Sequence, residues 1–285
     1  MHLVGGLPIE IEPEEALIPD ERKALARISR QGVGPGERAL PFRLRLVAEP
    51  PWASADPALF ADGGPAAIDW VDERVRVSHA RFVAELDPVD RSGRLFRRSR
   101  WVGALEVTLR TVLCSRLPFE GGLPLHAAGI VPDGRGIAFF GVSGAGKSTL
   151  AGLSPHPVLS DELVAVVADH SGTGPAPFAL TASGFWGTGE QDRTSEQPWP
   201  LVALVELAKG AQLRLDRLEP REAIARLVRV IMLPPGPPLW SAALAVLGRL
   251  VREVPVYRMA WSPEQPPWAD LLEELSRLPP GTGCR

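Results

Sequence analysis

Residues 125–150 read LHAAGIVPDGRGIAFFGVSGAGKSTL, and the first half of this stretch decides how the strands are arranged. An apolar run, AAGIV (127–131), reaches a second apolar run, IAFFG (137–141), through the five residues PDGRG. Pro, Asp and Gly in that order are typical of a tight turn. A connection this short joins only antiparallel strands, because parallel neighbours need a crossover of about a dozen residues or more. We therefore expect a β-hairpin.

The hairpin predicts a position for His126. If the turn is centred on Gly134, Ala127 faces Gly141 and His126 faces Val142. His126 would then lie at the edge of the segment that follows the second strand. Imidazole can orient or relay a proton near neutral pH, so we favour a functional role. The alternative is a half-buried histidine that hydrogen-bonds to the backbone at the start of a strand.

The second half of the stretch fits the phosphate-loop pattern G-x-x-x-x-G-K-[ST] at every fixed position, from Gly141 to Ser148. Glycines let successive backbone N–H groups point at phosphate oxygens, and the helix that follows adds its positive end. Lys147 brings a charge to the outer phosphates, and the Ser148 hydroxyl can bind Mg²⁺. The residues that we expect to bind the nucleotide are Gly141, Ser143, Gly144, Ala145, Gly146, Lys147, Ser148 and Thr149.

Two adjacent carboxylates, Asp161 and Glu162, follow a short apolar run and precede the strand-like LVAVV. This is roughly where a P-loop enzyme has its metal-binding carboxylate. Neighbouring side chains of a regular strand point to opposite faces, so only one acid should face the phosphates unless the strand is bulged or ends there. We expect at least one of the two to be functional; the alternative is a pair of polar residues at a strand entry.

The rest of the chain predicts a β-rich portion, residues 1–98, and a larger α/β domain, residues 99–285. The stretch 99–117 has helical spacing with Ser99 as a possible N-cap, and 219–233 and 238–254 read as two amphipathic helices. A short strand and a last helix follow. The strands predicted in the first portion are LPIEIE, FRLRLVAE, AAIDWV, RVRVSH and RFVAELD.

Composition excludes several classes of protein. The formal net charge of −3 gives no overall field that attracts nucleic acid or anionic membranes, so we expect neither as a partner. No apolar run approaches the roughly 20 residues that span a bilayer, and the N-terminus lacks a signal-peptide pattern. The cysteines, Cys114 and Cys284, form no metal-binding spacing, and Cys114 reads as a core residue. These features favour the cytoplasm.

The phosphate loop, His126 and the acid pair together resemble the HPr kinase/phosphorylase family and its looser relatives, within the phosphoenolpyruvate-carboxykinase-like P-loop group. The resemblance rests on LHAAGIV, GVSGAGKST and LSDELVAV in this order, followed by SGFWG and PLVALVEL, and it covers roughly residues 120–260. It implies an α/β fold: a mixed-sheet P-loop kinase core with an antiparallel hairpin into the loop. A small β-rich portion would precede this core, and C-terminal helices would follow it.

By this resemblance, Asp161 is the general base that accepts the proton of an acceptor hydroxyl, and His126 lies beside it. Glu162 helps to hold Mg²⁺, at a position where the family more often has aspartate. The family's later signature loop, which is linked to the reverse reaction, has no counterpart in this sequence. We therefore expect neither HPr as the acceptor nor reversal, and the closer likeness is to relatives associated with peptide natural products. The family includes oligomers, but no interface is readable here.

The resemblance implies an ATP- and Mg²⁺-dependent kinase that phosphorylates a hydroxyl, with serine of a peptide or small protein as the expected acceptor. One alternative is a small-molecule kinase on the same scaffold, and another is a nucleotide-binding switch without a phospho-acceptor. A segment that begins at Phe185, FWGTGEQDRTSE, is the candidate acceptor or gating loop. Its expected contact residues are Phe185, Trp186, Glu190 and Arg193. The alternative is a surface turn anchored by its aromatic side chains.

Overall fold

The computed structural model describes residues 1–14, 16–31, 40–47, 64–97, 101–169, 176–187, 197–210, 212–264 and 267–276. The chain divides into two compact units. The first comprises Met1–Phe119 and Leu233–Ala242, and the second comprises Glu120–Met232 and Ala243–Arg285. The boundary expected at residue 98 falls inside the first unit.

The described residues of the first unit form an eight-stranded sheet. Its strands are β1 (His2–Val4), β2 (Leu7–Pro13), β3 (Arg30–Gln31), β4 (Phe42–Val47), β5 (Ala67–Val71), β6 (Arg74–His79), β7 (Phe82–Asp87) and β8 (Ser92–Arg97). Their order in the sheet is β3-β1-β2-β4-β8-β7-β6-β5. Side chains alternate along β4, where Phe42 and Leu44 are buried while Arg43 and Arg45 are exposed.

Two helices, α1 (Pro19–Ile28) and α2 (Val102–Arg116), belong to the same unit. The sequence predicted α2 but not α1. Glu21 of α1 is 1% exposed and forms an ion pair with the buried Arg97 of β8. Helix α2 contains Cys114, whose burial raises the pKa of its thiol to about 12, in agreement with the expected core residue. The predicted N-cap, Ser99, lies outside the described residues.

The second unit contains β9 (Leu123–Ile130), β10 (Gly136–Phe140), β11 (Val158–Ser160), β12 (Leu163–Ala168), β13 (Phe178–Ala182), β14 (Trp199–Lys209), β15 (Arg214–Arg217) and β16 (Val256–Trp261). Its helices are α3 (Lys147–Gly152), α4 (Pro220–Leu227) and α6 (Trp268–Ser276), and α5 (Pro237–Glu253) has residues in both units. The fold is therefore mixed α/β. None of the helices in the described part of the chain is long and apolar enough to cross a membrane.

Five strands of the second unit close into a barrel, in the order β9-β10-β14-β13-β12 and back to β9. The pair β10–β14 is parallel, and the other four pairs of the ring are antiparallel. Outside the ring, β16 extends the sheet parallel to β14, and β15 pairs with β16. A buried cluster that includes Ile137, Phe139, Leu150 and Val205 joins α3 to β10 and β14.

The predicted hairpin is confirmed, but its register was predicted wrongly by one residue. Ala127 faces Phe140 rather than Gly141, and Ile130 faces Ile137. Asp133 and Gly134 both have positive φ, 48° and 74°, as the central residues of a two-residue type I′ turn do. The turn is therefore centred between these two residues and not on Gly134. The register continues to His126 opposite Gly141, so the histidine still lies at the start of the loop.

The helix predicted over residues 219–233 is shorter than expected, because α4 ends at Leu227. The chain then turns and pairs with β9: Ile231 forms a bridge with Leu125, and the Met232 N–H donates to the Pro124 carbonyl at 2.9 Å. Tertiary pairing therefore overrides helical periodicity here. The helix predicted over 238–254 and the strand VPVYRMAW are confirmed as α5 and β16.

Replacing Gly134 with alanine tests the turn that sets the register. We expect the free energy of unfolding to fall by about 1 kcal/mol or more, because a side chain is strained at positive φ. The added methyl would lie 3.4 Å from the Trp199 ring, an ordinary contact, so strain dominates the effect. Urea denaturation measures the change. Gly152→Ala, whose methyl meets nothing within 4 Å, is the control and should lose no stability.

Candidate functional site

The glycine-rich loop connects β10 to α3 and leaves room for a ligand beside its backbone. Gly146 adopts a φ of 100°, a left-handed conformation that glycine reaches without strain. A side chain here would also approach the Trp261 ring to 3.0 Å. Ser143, Ser148 and Thr149 are exposed at the loop, while Ala145 is packed beneath it. The sequence pattern therefore corresponds to a real backbone constraint.

Lys147 curls back over the loop. Its ammonium group donates a hydrogen bond of 3.0 Å to the Gly141 carbonyl, and the residue is 7% exposed. Burial lowers the pKa of Lys147, because removal from water disfavours the charged form. A polyanion bound at this loop would stabilise the charged form of the Lys147 ammonium group.

Asp161 and Glu162 occupy the break between β11 and β12, which both pair with β9. Both acids line the same cavity, although neighbouring residues of a regular strand would point to opposite faces. The interruption of the strand explains this, and it is one of the two exceptions that the sequence left open. Asp161 is 3% exposed, and its Oδ1 accepts a hydrogen bond from the Gly187 N–H at 2.9 Å.

His126 is held by hydrogen bonds to two segments of the unit. Its backbone N–H donates to the Val230 carbonyl at 2.8 Å, and its Nδ1 lies 3.0 Å from the Glu162 carbonyl oxygen. A carbonyl oxygen only accepts, so Nδ1 carries a proton. The Ala127 N–H donates to the same Glu162 carbonyl at 3.1 Å. The acid pair and the histidine are thereby tied to one another.

A cavity of about 380 Å³ brings these groups together. It is lined by His126, Ser143, Gly144, Gly146, Lys147, Ser148, Thr149, Asp161, Glu162 and Gly187. Nine of these ten were proposed as site residues from the sequence. Of the other expected residues, Gly141 and Ala145 belong to the loop without lining the cavity. The structure therefore brings the loop, the histidine and both acids to one space.

The candidate acceptor segment is only partly described. Phe185 is 4% exposed, and Trp186 packs against the cluster that contains Phe139 and Leu150, so both aromatic side chains anchor the segment. Glu190 and Arg193 lie outside the described residues. Gly187 belongs to the SGFWG motif but was not among the predicted site residues; it follows these aromatics and lines the cavity.

Magnesium would have to bind with help from a nucleotide. The described residues contain no group of three or more His, Cys, Asp or Glu side chains that could hold a metal ion. Mg²⁺ usually binds through one or two carboxylates, waters and substrate phosphates. The Ser148 hydroxyl and the Glu162 carboxylate at one cavity fit that pattern.

A family model described as "SynChlorMet cassette protein ScmC" matches residues 99–231. This range is 133 residues long (231 − 99 + 1), somewhat less than half of the 285-residue chain. It includes the glycine-rich loop, His126, both acids and Gly187. The similarity to this family therefore covers all the residues that line the cavity.

Local similarity also extends to proteins named phosphoenolpyruvate carboxykinase (ATP). The protein of Rhizobium etli (strain CIAT 652) is 36% identical over 63 residues, and that of Alkaliphilus oremlandii is 37% identical over 65 residues. The protein of Novosphingobium aromaticivorans is 33% identical over 63 residues. Each match covers 22% of this chain and 12% of the relative. The chain thus spans about an eighth of the length of these relatives.

The lowered pKa of Lys147 is testable because the chain has only three lysines, and the other two, Lys23 and Lys209, are exposed. Cyanate reacts with neutral amines, so its rate rises with pH around the pKa of each lysine. We expect the midpoint of this rise to lie at lower pH for Lys147 than for Lys23 and Lys209. Mass spectrometry of peptides follows all three. An equal or higher midpoint for Lys147 would contradict the assigned burial.

Proposed function

We propose that this protein is an ATP-dependent phosphotransferase that transfers the γ-phosphoryl group to a hydroxyl, with serine of a peptide or small protein as the acceptor. One observation carries the proposal: a single cavity is lined by the glycine-rich loop, Lys147, His126 and two carboxylates. Such a cavity combines groups that suit phosphates with groups that suit proton transfer.

In the proposed reaction, residues of this chain bind the phosphates of the nucleotide and neutralise their negative charge. Backbone N–H groups of the loop suit phosphate oxygens, and Lys147 supplies a positive charge whose solvation is already reduced. Ser148 and Glu162 would hold Mg²⁺, which supplies further charge neutralisation when it is bound with the nucleotide. Catalysis of phosphoryl transfer needs little more than such positioning and charge stabilisation.

On the acceptor side, we assign Asp161 as the general base. The acceptor oxygen forms a bond to the γ-phosphorus while the bond from that phosphorus to the β–γ bridging oxygen breaks. The hydroxyl proton passes to the Asp161 carboxylate, and ADP leaves. His126 lies on the same cavity with its ring fixed by the Glu162 carbonyl, so it can orient the acceptor or a phosphate oxygen.

Two kinds of likeness support an ATP-using transferase. The relatives named phosphoenolpyruvate carboxykinase (ATP) use ATP by their name, and they match a part of this chain. The order of motifs resembles the HPr kinase/phosphorylase family, which supports a hydroxyl acceptor. The missing signature loop of that family argues for an acceptor other than HPr and against reversal.

The carboxykinase similarity also favours a second candidate, a small-molecule kinase on the same scaffold, because those relatives are named for a small substrate. The two candidates differ only in the acceptor. Both need the same nucleotide site and the same base, so the first experiments test what they share.

Removing the Lys147 charge should weaken MgATP binding at least about tenfold, the effect expected when a charged hydrogen bond to phosphate is lost. Calorimetric titration of Lys147→Ala with MgATP measures this. Lys209→Ala removes an exposed lysine and should bind as the wild-type chain does. MgATP should also protect only Lys147 from cyanate. Unchanged affinity in Lys147→Ala would contradict the nucleotide site.

Removing the base should separate binding from transfer. Asp161→Asn should keep MgATP affinity and lower the turnover number by about 100-fold or more, the usual contribution of a general base. Asp133→Asn is the matched control, because Asp133 is largely exposed at the hairpin turn, where asparagine tolerates positive φ. Turnover is measured as ADP formation with and without an acceptor. Wild-type turnover in Asp161→Asn would falsify its role as the base.

Mass spectrometry after incubation with MgATP distinguishes the acceptors. Serine-containing peptides encoded beside this protein are tested against a panel of small hydroxyl metabolites. We expect a peptide to gain one phosphate, 80 Da (H₃PO₄ added minus H₂O lost), in the wild-type reaction and not in Asp161→Asn. Phosphate on a small metabolite alone would favour the second candidate. ADP formation without any phosphorylated product would favour a nucleotide switch.

A further inference from the structure

Two buried serine hydroxyls tie the acid pair to the segment that precedes Gly187. Ser160 Oγ donates to the Phe185 carbonyl at 2.7 Å and accepts from the backbone N–H groups of Glu162 and Leu163 at 3.0 and 3.1 Å. Ser183 Oγ donates to the Leu163 carbonyl and accepts from the Phe185 N–H at 3.1 Å. Both serines are fully buried. The break between β11 and β12 is therefore held in one arrangement.

Gly187 follows this anchored segment and lies against both carboxylates. Its N–H donates to Asp161 Oδ1 at 2.9 Å. A methyl group at Gly187 would lie 3.2 Å from Asp161 Oδ2 and 3.5 Å from Glu162 Oε2. Gly187 also lines the cavity. A side chain at this position would thus fill space between the two acids.

We propose that Gly187 is a positioning residue of the transfer site: its N–H orients the Asp161 carboxylate, and its missing side chain keeps the space beside Asp161 and Glu162 clear for the acceptor hydroxyl. This inference rests on the proposed phosphotransfer and adds to it the residue that orients the general base, Asp161. Ser160 supports Gly187 by fixing the carbonyl of Phe185, two residues earlier.

The hydrogen bond from the Gly187 N–H fixes the direction in which the Asp161 carboxylate points. A carboxylate on a single-bonded stem rotates unless its oxygens are held, and a hydrogen bond from a fixed N–H to a charged oxygen is among the stronger ones in proteins. The donor here is fixed, because Phe185 is buried and Trp186 packs against the core. Misplacement of a reacting group by about 1 Å can cost about 100-fold in rate.

Gly187→Ala tests the inference. We expect the turnover number for ADP formation to fall about 100-fold, because the methyl crowds Asp161 Oδ2 at 3.2 Å. The KM for MgATP should stay within about twofold, because the 3.5 Å distance to Glu162 Oε2 is an ordinary contact and the loop is not touched. The affinity gained when aluminium fluoride is added to MgADP, a mimic of the phosphoryl group in transfer, should fall by a similar factor. Gly152→Ala, which adds a methyl near the loop where nothing lies within 4 Å, should match the wild-type chain.

A second pair of variants removes or restores one hydroxyl without adding a group to the cavity. Ser160→Ala should lower the turnover number for ADP formation with little change in the KM for MgATP. Ser160→Thr should retain most of the wild-type turnover number, because threonine keeps the hydroxyl. A purely structural role for Ser160 would instead lower the melting temperature of Ser160→Ala, leave its turnover number per folded molecule unchanged and overturn the supporting role assigned to Ser160.

The outcomes separate the two proposals. Wild-type turnover and wild-type affinity for the mimic in Gly187→Ala would overturn this inference and leave the proposed function standing. A change confined to the KM for MgATP would also overturn it. A wild-type chain that fails to bind MgADP, or binds it with no gain from aluminium fluoride, would contradict the proposed function and this inference with it.

Discussion

Strand β9 hydrogen-bonds along both edges, and the candidate site depends on this shared pairing. One edge holds β10, which leads into the glycine-rich loop, and the other holds β11 and β12, whose break contains the acid pair. The Glu162 carbonyl accepts from both the Ala127 N–H and the His126 ring. Because backbone pairing fixes these distances, the loop, the histidine and the acids meet without any contribution from a long flexible side chain.

In the proposed function, the site combines a loop side, whose backbone would bind the phosphates, with an acid side, where Asp161 would accept the proton. Lys147 and Asp161 are 7% and 3% exposed, so their charges act in surroundings where electrostatic interactions are stronger than in water. The same burial lowers the pKa of Lys147, and in the proposed function the bound phosphates stabilise its charged form. The closed ring of five strands supports both sides, because β10 pairs with β9 and β14 at once.

The parts of the structure that local chemistry determines were predictable. The loop pattern, the hairpin and α2 follow from turn residues and periodicity, and the acid pair follows from its place after the loop. The register required the recognition that Asp133 and Gly134 form the turn together. Ile231 does not continue the predicted helix because it pairs with Leu125 of β9. Gly187 contacts Asp161 through a tertiary hydrogen bond. Neither contact has a signal in the nearby sequence.

The proposed function requires that these groups converge on a terminal phosphate. A crystal structure with Mg²⁺ and a non-hydrolysable ATP analogue would show where that phosphate lies. We expect it in hydrogen-bonding contact with Lys147 and the loop amides, with His126 and Asp161 facing it from the opposite side of the cavity. A nucleotide bound elsewhere, or one whose terminal phosphate points away from the two acids, would contradict the proposed function.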